Sequence, residues 1–251
     1  MSAEVRIIGV DHVPEARPGD DLADLIAYGI ERSGLTLADG DVVVVTQKLV
    51  SKAEGQLVDL REVEPSALAR EWAERYDKDP RQVEVVLREA RRIVRMANGL
   101  IIAETRHGFV CANAAVDASN VSAPDQVTLL PVDPDASAER IRRGLAERAG
   151  VEIAVIITDS FGRPWRKGIV NVAVGVAGME PLVDYRGQFD DQGYELRATV
   201  IAVADEIASA AELVMGKLAR RPVAIVRGYA YQPGDGGARA LVMEPERDLF
   251  R

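Results

Sequence analysis

The chain has 251 residues, 47% hydrophobic and 28% charged, a composition typical of a globular protein with one large domain or two small ones. Its net charge of −9 argues against nucleic-acid binding through a basic surface. The chain has only two histidines and one cysteine, so a Ser-His-Asp hydrolase or a histidine-rich metal site is a poor fit to its composition. We therefore expect one domain over residues 1–251, with room for two subdomains, and no nucleic-acid partner.

The single cysteine and the apolar runs bear on the cellular compartment. One cysteine forms no internal disulfide, which favours a reducing compartment. No apolar run approaches the roughly 20 residues that span a bilayer, and the first ten residues lack a basic segment followed by a long apolar core. We expect a cytoplasmic protein without membrane contact, in which Cys111 is a buried small apolar residue.

Hydrophobic periodicity and turn residues predict elements along the whole chain. The first half should hold a strand over 4–10, a helix over 20–34, a buried strand over 42–45, a short strand over 56–60, helices over 65–76 and 80–96, and strands over 100–103 and 108–112. The second half should hold a helix over 138–149 capped by Asp135 or Ser137, a buried strand over 153–157 that ends at 158–160, a glycine-containing strand over 169–179, strands over 182–186 and 194–200, a helix over 201–217, a strand over 223–226 and a mobile tail from 233.

Polar and basic residues directly follow the buried strand over 42–45. Gln47, Lys48 and Lys52 lie there, and in open α/β sheets ligands favour the edge beyond the carboxyl ends of the strands. From this strand alone, two solvated surface lysines are the simpler interpretation. The sequence contains neither a Walker loop nor a G-x-G-x-x-G fingerprint to support nucleotide binding independently.

Acidic residues follow two other predicted strands. Asp117 and Asn120 come after the strand over 108–112, and Asp159 and Ser160 come after the strand over 153–157, followed by a basic turn. An acid beside a buried strand is costly unless it meets a cation, and Mg²⁺ takes one or two carboxylates with phosphate and water. A capped strand end with a solvated turn is the competing interpretation. If these clusters converge, which spacing does not show, they suit phosphoryl transfer.

Six ordered segments resemble the F420 gamma-glutamyl ligases, which join L-glutamate to the deazaflavin coenzyme F420-0. They are GDDLADLI, DVVVVTQKLVSKAEG, NAAVDASNV, VIITDSFGRPWRKG, VADEIASAAELVMGK and PVAIVRG. The resemblance spans nearly the whole chain. It implies a mixed α/β fold peculiar to the family, an intertwined homodimer, GTP as the energy source and two divalent cations, Mg²⁺ or Mn²⁺, with K⁺ as a further candidate. Some relatives carry a C-terminal flavin-binding domain, which we expect this chain to lack because it ends at Arg251.

The resemblance also assigns roles to individual residues. Nucleotide contacts fall on His12, Val13, Pro14, Glu15, Gln47, Lys48, Lys52, Asn120 and the segment 215–222, which includes Met215, Gly216 and Lys217. Asp117 and Asp159 match the ligands of one divalent cation and Ser160 a ligand of the second, and Lys52 matches a phosphate contact. Asp117, Asp159 and Lys52 are thus the expected catalytic residues.

Lys217 departs from part of the family. It stands where some relatives carry a carboxylate that serves the second cation, and a charged lysine cannot ligate a metal. Either the second cation is held by Ser160, water and phosphate, or Lys217 replaces part of its charge. A third interpretation is that Lys217 only stabilises the end of its helix.

The implied reaction is carboxylate activation. The lactyl carboxylate of the deazaflavin substrate attacks the γ-phosphate of GTP, and the amine of L-glutamate then attacks the acyl phosphate to give an amide, GDP and phosphate. Later rounds would add further γ-linked glutamates. Two alternatives stay open from the residues alone: a metal-dependent nucleotide phosphohydrolase, and a GTP-binding module without chemistry.

Overall fold

The computed structural model describes residues 4–119 and 125–249. Its strands are β1 (Arg6–Val10), β2 (Val42–Thr46), β3 (Leu57–Asp59), β4 (Ala90–Ala97), β5 (Leu100–Thr105), β6 (Val110–Ala112), β7 (Gln126–Thr128), β8 (Ala154–Arg163), β9 (Arg166–Ala177), β10 (Val183–Asp184), β11 (Val200–Ile201) and β12 (Val223–Arg227). Its helices are α1 (Leu22–Arg32), α2 (Gln47–Ala53), α3 (Ala67–Tyr76), α4 (Pro80–Glu89), α5 (Pro134–Ala149) and α6 (Val203–Met215). The expected mixed α/β architecture is confirmed, and the described strands form several separate sheets.

A five-stranded sheet in the order β1-β12-β2-β8-β9 forms the main core. β2 and β8 run parallel, and the other neighbouring strands run antiparallel. All four valines of β2 are fully buried, because this strand has a neighbour on each side and both of its faces are covered. Thr46 lies opposite Thr158 in the parallel pair, so β2 and β8 carry their next residues to the same edge of the sheet.

β9 is an edge strand whose outward backbone groups are occupied by side chains from two helices. Asp205 of α6 accepts a hydrogen bond from the N–H of Ala173 at 2.8 Å. Asp135 of α5 accepts one from the N–H of Val176, also at 2.8 Å. These carboxylates satisfy two N–H groups of an edge that would otherwise offer a template for another strand.

Gly175 brings β9 unusually close to α5. A Cβ added at this position would lie 2.5 Å from the carbonyl oxygen of Pro134. The expectation that glycine in the strand over 169–179 permits close backbone approach is therefore confirmed at this residue.

The start of α5 differs from the predicted one. Asp133 is the N-cap and accepts a hydrogen bond from the N–H of Ala136 at 3.0 Å. The predicted caps Asp135 and Ser137 lie inside the first turns because the helix already begins at Pro134. Proline suits the first helical position, where its missing N–H is not needed.

A second cluster of buried side chains involves α3, α4 and the strands β3, β5 and β7. Here the predicted helix over 80–96 is wrong in its second half, because α4 ends at Glu89 and β4 follows. Asn98 and Gly99 both have positive φ, 51° and 76°, and turn β4 back onto β5. Asn-Gly is a strong hairpin signal. The apolar residues between 83 and 94 are also spaced as in a helix, and the sequence therefore predicted a helix where β4 forms.

The prediction that the buried strand over 153–157 ends at 158–160 is also wrong. β8 continues into a hairpin with β9 that turns at residues 164–165. The register shifts between Ile157 and Thr158, where Val174 of β9 is left without a partner. This β-bulge changes the direction in which the following side chains point. Pairing resumes after it, and the polar residues 158–160 are therefore part of the strand.

The last third of the chain differs from the prediction in the length of its elements and in the packing of its tail. The strands expected over 182–186 and 194–200 shrink to the two-residue pair β10 and β11, and the helix expected over 201–217 ends at Met215. Instead of a free tail, Ala238 is fully buried, and Val242 packs against Gly108. No helix among the described residues is both long and apolar enough to cross a bilayer.

Candidate functional site

The polar residues after β2 meet Asp117 at the edge shared by β2 and β8. Lys48 Nζ lies 2.6 Å from Oδ2 of Asp117 and donates a hydrogen bond to the hydroxyl of Ser119. The N–H of Ser119 donates to Oδ1 of Asp117 at 2.6 Å, and a backbone bridge to Thr128 fixes the same segment. Two of the strand-exit clusters predicted from the sequence therefore come together.

Asp159 brings the third cluster to this edge. It lies on β8 just beyond the bulge, and no side chain in the described part of the chain forms a hydrogen bond or ion pair with its carboxylate. Burial raises the pKa of Asp159 to about 6. The N–H of Ser160 and the charges of Lys48 and Lys217 oppose this rise, whereas the charge of Asp117 adds to it.

Asp117 has the opposite electrostatic character. Burial would raise its pKa, but the hydrogen bonds from Lys48 and from Ser119 outweigh burial, and the pKa of Asp117 lies below its ordinary value. One acid of the pair is thus already neutralised by a lysine, while the other, Asp159, holds its proton more tightly than usual. A cation beside Asp159 would relieve the cost of ionising a buried carboxylate.

The donor set suits a hard cation completed by water and phosphate. Within residues 4–119 and 125–249, no three or more His, Cys, Asp or Glu side chains form a metal-binding group. Mg²⁺ and Mn²⁺ sites need no such cage, since Mg²⁺ uses one or two carboxylates plus substrate phosphates. Asp117 and Asp159 fit that arrangement, provided that Lys48 shares Asp117 with the ion.

Ser160 lies in a different environment from its neighbour Asp159. Its hydroxyl accepts a hydrogen bond from Lys217 and donates one to Oδ1 of Asn171 at 2.8 Å. Nδ2 of Asn171 in turn donates to Oε2 of Glu212 on α6 at 2.9 Å. Consecutive residues of a strand project to opposite faces, so Ser160 faces α6 rather than the Asp117–Asp159 pair.

The loop over 12–15 lies beside the end of α2. Lys52 is buried, with 9% of its side chain exposed, and its ammonium contacts Oε1 of Glu15. This burial rules out the interpretation of Lys52 as a solvated surface lysine. Val13 packs against Gly29, where an added Cβ would meet its Cγ2 at 2.6 Å. His12 is exposed and has a φ of 63°, and Pro14 is half-buried.

The segment 215–222 reaches the same region from α6. Arg221 Nε donates to Oδ1 of Asp11 at 2.6 Å, which ties the segment to the start of the 12–15 loop. The N–H of Thr46 donates to the carbonyl of Pro222 at 2.9 Å. The structure therefore gathers 12–15, α2 and 215–222 around the carboxyl end of β2.

The predicted nucleotide contacts in these segments differ in burial and in hydrogen bonding. Met215 is a core side chain with 1% exposure, Gly216 has a φ of 56° and ends α6, and Lys217 is exposed. Gln47 is buried and accepts a hydrogen bond from Ser51 at 2.8 Å, but its Nε2 has no partner among the described residues. The predicted nucleotide contact Asn120 lies outside the described residues.

Sequence reasoning missed Asn171 and Glu212, which hold Ser160 in place. Asn171 is 4% exposed although it is polar. A single amide inside the apolar run over 169–179 was a usable signal, because buried polar groups need partners. Glu212 gave no comparable signal, since it reads as one more polar position on an amphipathic helix.

Comparison with known proteins identifies the family. The model of the family described as F420-0:Gamma-glutamyl ligase matches residues 11–228. The chain belongs to this family. A coenzyme F420:L-glutamate ligase from Methanothermobacter thermautotrophicus is 48% identical over 98% of this chain and 99% of its own length. One from Methanopyrus kandleri is 50% identical over 98% of both chains, and one from Methanocaldococcus jannaschii is 43% identical over 99% and 97%.

Membership of the F420-0:gamma-glutamyl ligase family confirms the resemblance drawn from the six segments. The relatives are named as ligases, which form a carbon–nitrogen bond between an acid and an amino acid. The matched region includes every predicted site residue from His12 to Lys217. Their individual roles stay predictions.

Proposed function

We propose that this chain joins L-glutamate to the lactyl carboxylate of a deazaflavin phospholactate, with GTP as the energy source. The observation that carries the proposal is the meeting of Lys48, Asp117 and Asp159 at one sheet edge. Carboxylates for a cation and lysines for phosphate are the equipment of phosphoryl transfer, in which catalysis consists of positioning and charge neutralisation. The family membership supplies the acceptor and the amine.

The described residues divide the binding tasks. Asp117 and Asp159 would hold a divalent cation, Mg²⁺ or Mn²⁺, which neutralises charge on the phosphate oxygens when bound. Lys52, on the same face of α2 as Lys48 four residues earlier, would grip the phosphates. Ser160 would serve the second site, with Lys217 supplying part of the charge there. K⁺ remains a candidate for a monovalent site.

The chemistry needs no nucleophile from the protein. The lactyl carboxylate attacks the γ-phosphorus, the bond to the GDP oxygen breaks, and the lysines neutralise charge on the phosphates. The amine of L-glutamate then attacks the acyl carbon, phosphate leaves, and the amine proton passes to solvent or phosphate. Cys111 takes no part, because burial and the charge of Asp159 raise its pKa to about 12. The same cycle on the new γ-carboxylate would add a further glutamate.

The homodimer is part of the same proposal. The β8–β9 hairpin exposes 82% of Trp165 and 57% of Ile169, and neighbouring exposed apolar groups suit contact with a second copy. Light scattering coupled to size exclusion should give twice the monomer mass. A cytoplasmic location also belongs to the proposal, as the compartment that fits a single unpaired thiol.

A phosphate-release assay tests the reaction. With Mg²⁺ and GTP, the ligase should release phosphate only when L-glutamate and the deazaflavin substrate are both present, and mass spectrometry should find the amide in equal amount. A phosphohydrolase would release phosphate from GTP alone. A binding module would bind GTP and release none in any mixture. Either of these results overturns the proposal.

A further inference from the structure

A cavity of about 220 Å³ lies between the β8–β9 sheet edge and the residues around 108–110 and 241–243. Phe109, Phe161, Val172, Val242, Met243 and Asp205 line it, among others. These six residues are called the ring slot below. None of them belongs to the nucleotide or metal contacts that the family resemblance assigns.

Strand register fixes the ring slot against the candidate cation site. Val172 of β9 is the direct cross-strand partner of Asp159, and Phe161 lies two residues further along β8. Residues paired across strands, and residues two apart, project from the same face of a sheet. Cross-strand side chains start roughly 5 Å apart at Cβ. The slot therefore begins next to the carboxylate at which the reacting acid would be activated.

The walls of the ring slot suit a flat aromatic group. The rings of Phe109 and Phe161 meet edge to face, with centroids 6.1 Å apart and planes at 72°. His107 supports Phe109 by stacking on it, with ring centroids 5.9 Å apart. On the other side Val242 approaches Gly108 so closely that an added Cβ would lie 3.3 Å from it. Apolar and aromatic walls with few polar groups are typical of heterocycle sites.

The polar groups of the slot are acidic. Asp205 accepts a hydrogen bond from Ala173, and no basic side chain of the described residues pairs with it. Burial raises its pKa. Asp248 also lines the cavity. Carboxyl groups here accept N–H and O–H donors but repel phosphates and carboxylates, so an anionic tail would point away from them, towards the lysines.

We propose that the ring slot holds the deazaflavin ring of the acceptor substrate, with its phospholactate chain running to Asp159. The inference deepens the proposed function and rests on it for the position of the reacting carboxylate. The substrate combines a flat heterocycle that carries N–H and O–H donors with an acid at the far end of a chain. That matches a slot with acceptor groups whose walls Val172 and Phe161 lie next to Asp159 in the sheet.

Direct binding of the deazaflavin substrate, followed by its fluorescence, tests the slot without turnover. Met243→Trp should fill the space and weaken binding at least tenfold, and Phe161→Leu should weaken it several-fold by removing the aromatic edge. The matched control is Leu100→Trp, because Leu100 is similarly exposed, 48% against 53% for Met243, and does not line the slot. Thermal unfolding checks that all three variants fold.

GTP affinity, measured by calorimetry on the same proteins, shows whether the slot binds the deazaflavin ring or the guanine of GTP. It should stay unchanged in Met243→Trp and Phe161→Leu, and an equal loss of GTP affinity would put guanine in the slot and overturn the inference. Unchanged deazaflavin binding in both variants would also overturn it. If wild-type protein binds the deazaflavin as expected but forms no amide, the ligase proposal fails while the slot assignment stands.

Discussion

The ammonium of Lys217 donates a hydrogen bond to the hydroxyl of Ser160, although 57 residues separate them. Lys217 lies beyond the end of α6, which terminates at Met215 with Gly216 as its cap. The interpretation that Lys217 only stabilises the end of its helix therefore has less support than it had from the sequence. The ammonium instead occupies the side of Ser160 where the family resemblance expects a second cation.

Changing Lys217 should alter how activity depends on metal. Lys217→Glu replaces an ammonium beside Ser160 by a possible ligand, so we expect activity to rise more steeply with Mn²⁺ concentration and the second site to fill more readily. Lys217→Met is the control, because it removes the charge without adding a ligand. Ligation rates are measured against Mn²⁺ at saturating GTP. If the curves of ligation rate against Mn²⁺ concentration are the same for wild type and Lys217→Glu, Lys217 has only a structural role.

Asp159→Asn should separate catalysis from stability. Removing one preorganised charge at a phosphoryl-transfer site costs roughly 10²–10³ in rate, so metal-dependent ligation should fall by that order. Metal binding, measured by calorimetry with Mn²⁺, should weaken in parallel. Turnover near the wild-type rate at ordinary Mg²⁺ would remove Asp159 from the proposed site.

The same variant should be more stable than wild type when no metal is present. The pKa of Asp159 is about 6 in the folded protein and 3.8 in the unfolded chain. Its contribution to stability is therefore present below pH 4 and is lost as pH rises through 6. The difference is on the order of 3 kcal/mol, since each pKa unit is about 1.4 kcal/mol.

Urea unfolding of the chelator-treated proteins checks this sign. At pH 8 Asp159→Asn should have the higher free energy of unfolding, and the gap should close near pH 4. Asp117, whose pKa is lowered, acts in the opposite direction but is common to both proteins. A gap that widens on acidification would contradict the prediction.

Lys52 and Glu15 offer a pair of substitutions with effects of different expected size on GTP binding. Lys52→Met should weaken GTP binding by roughly tenfold to a hundredfold, because a hydrogen bond to a charged group contributes ~1.5–3 kcal/mol. Glu15→Gln should cost much less affinity than Lys52→Met, since it keeps a polar side chain at a predicted nucleotide contact and frees the ammonium that Glu15 now holds. Calorimetric titration with GTP measures both. Equal affinities for Lys52→Met and wild type would exclude a phosphate contact at this lysine.

Gly175→Ala tests the close approach of β9 to α5. The added methyl would meet the Pro134 carbonyl at 2.5 Å, and overpacking of this kind costs ~1–3 kcal/mol. Gly162→Ala is the matched control on β8, where a Cβ meets no heavy atom within 4 Å. Thermal unfolding should show a clear loss for the first and a change within ~0.5 kcal/mol for the second. Equal melting temperatures would mean that the strand and helix can move apart freely.

The sequence predicted best where burial dominates. The valines of β2 and the run from 153 to 157 were predicted as buried strands, and the structure confirms both, with β8 beginning at Ala154. The prediction failed where a local turn overrides periodicity, as at Asn98-Gly99, and where a strand continues through polar residues, as at Asp159. The meeting of Lys48 with Asp117 could not be derived, because contact between residues distant in the chain depends on how strands pair and not on spacing.

The parallel pairing of β2 with β8 also constrains the order of events during synthesis. Val42 pairs with Ala154 and Val43 pairs with both Val155 and Ile225, so each neighbour of β2 is made long after β2 itself. Closing such long loops is entropically costly and slows folding. Until then the four valines lack their partners, which leaves this segment exposed to aggregation or chaperone capture. A nucleotide or metal bound at this edge, as proposed, would stabilise only the late, nearly complete chain, because the edge does not exist earlier.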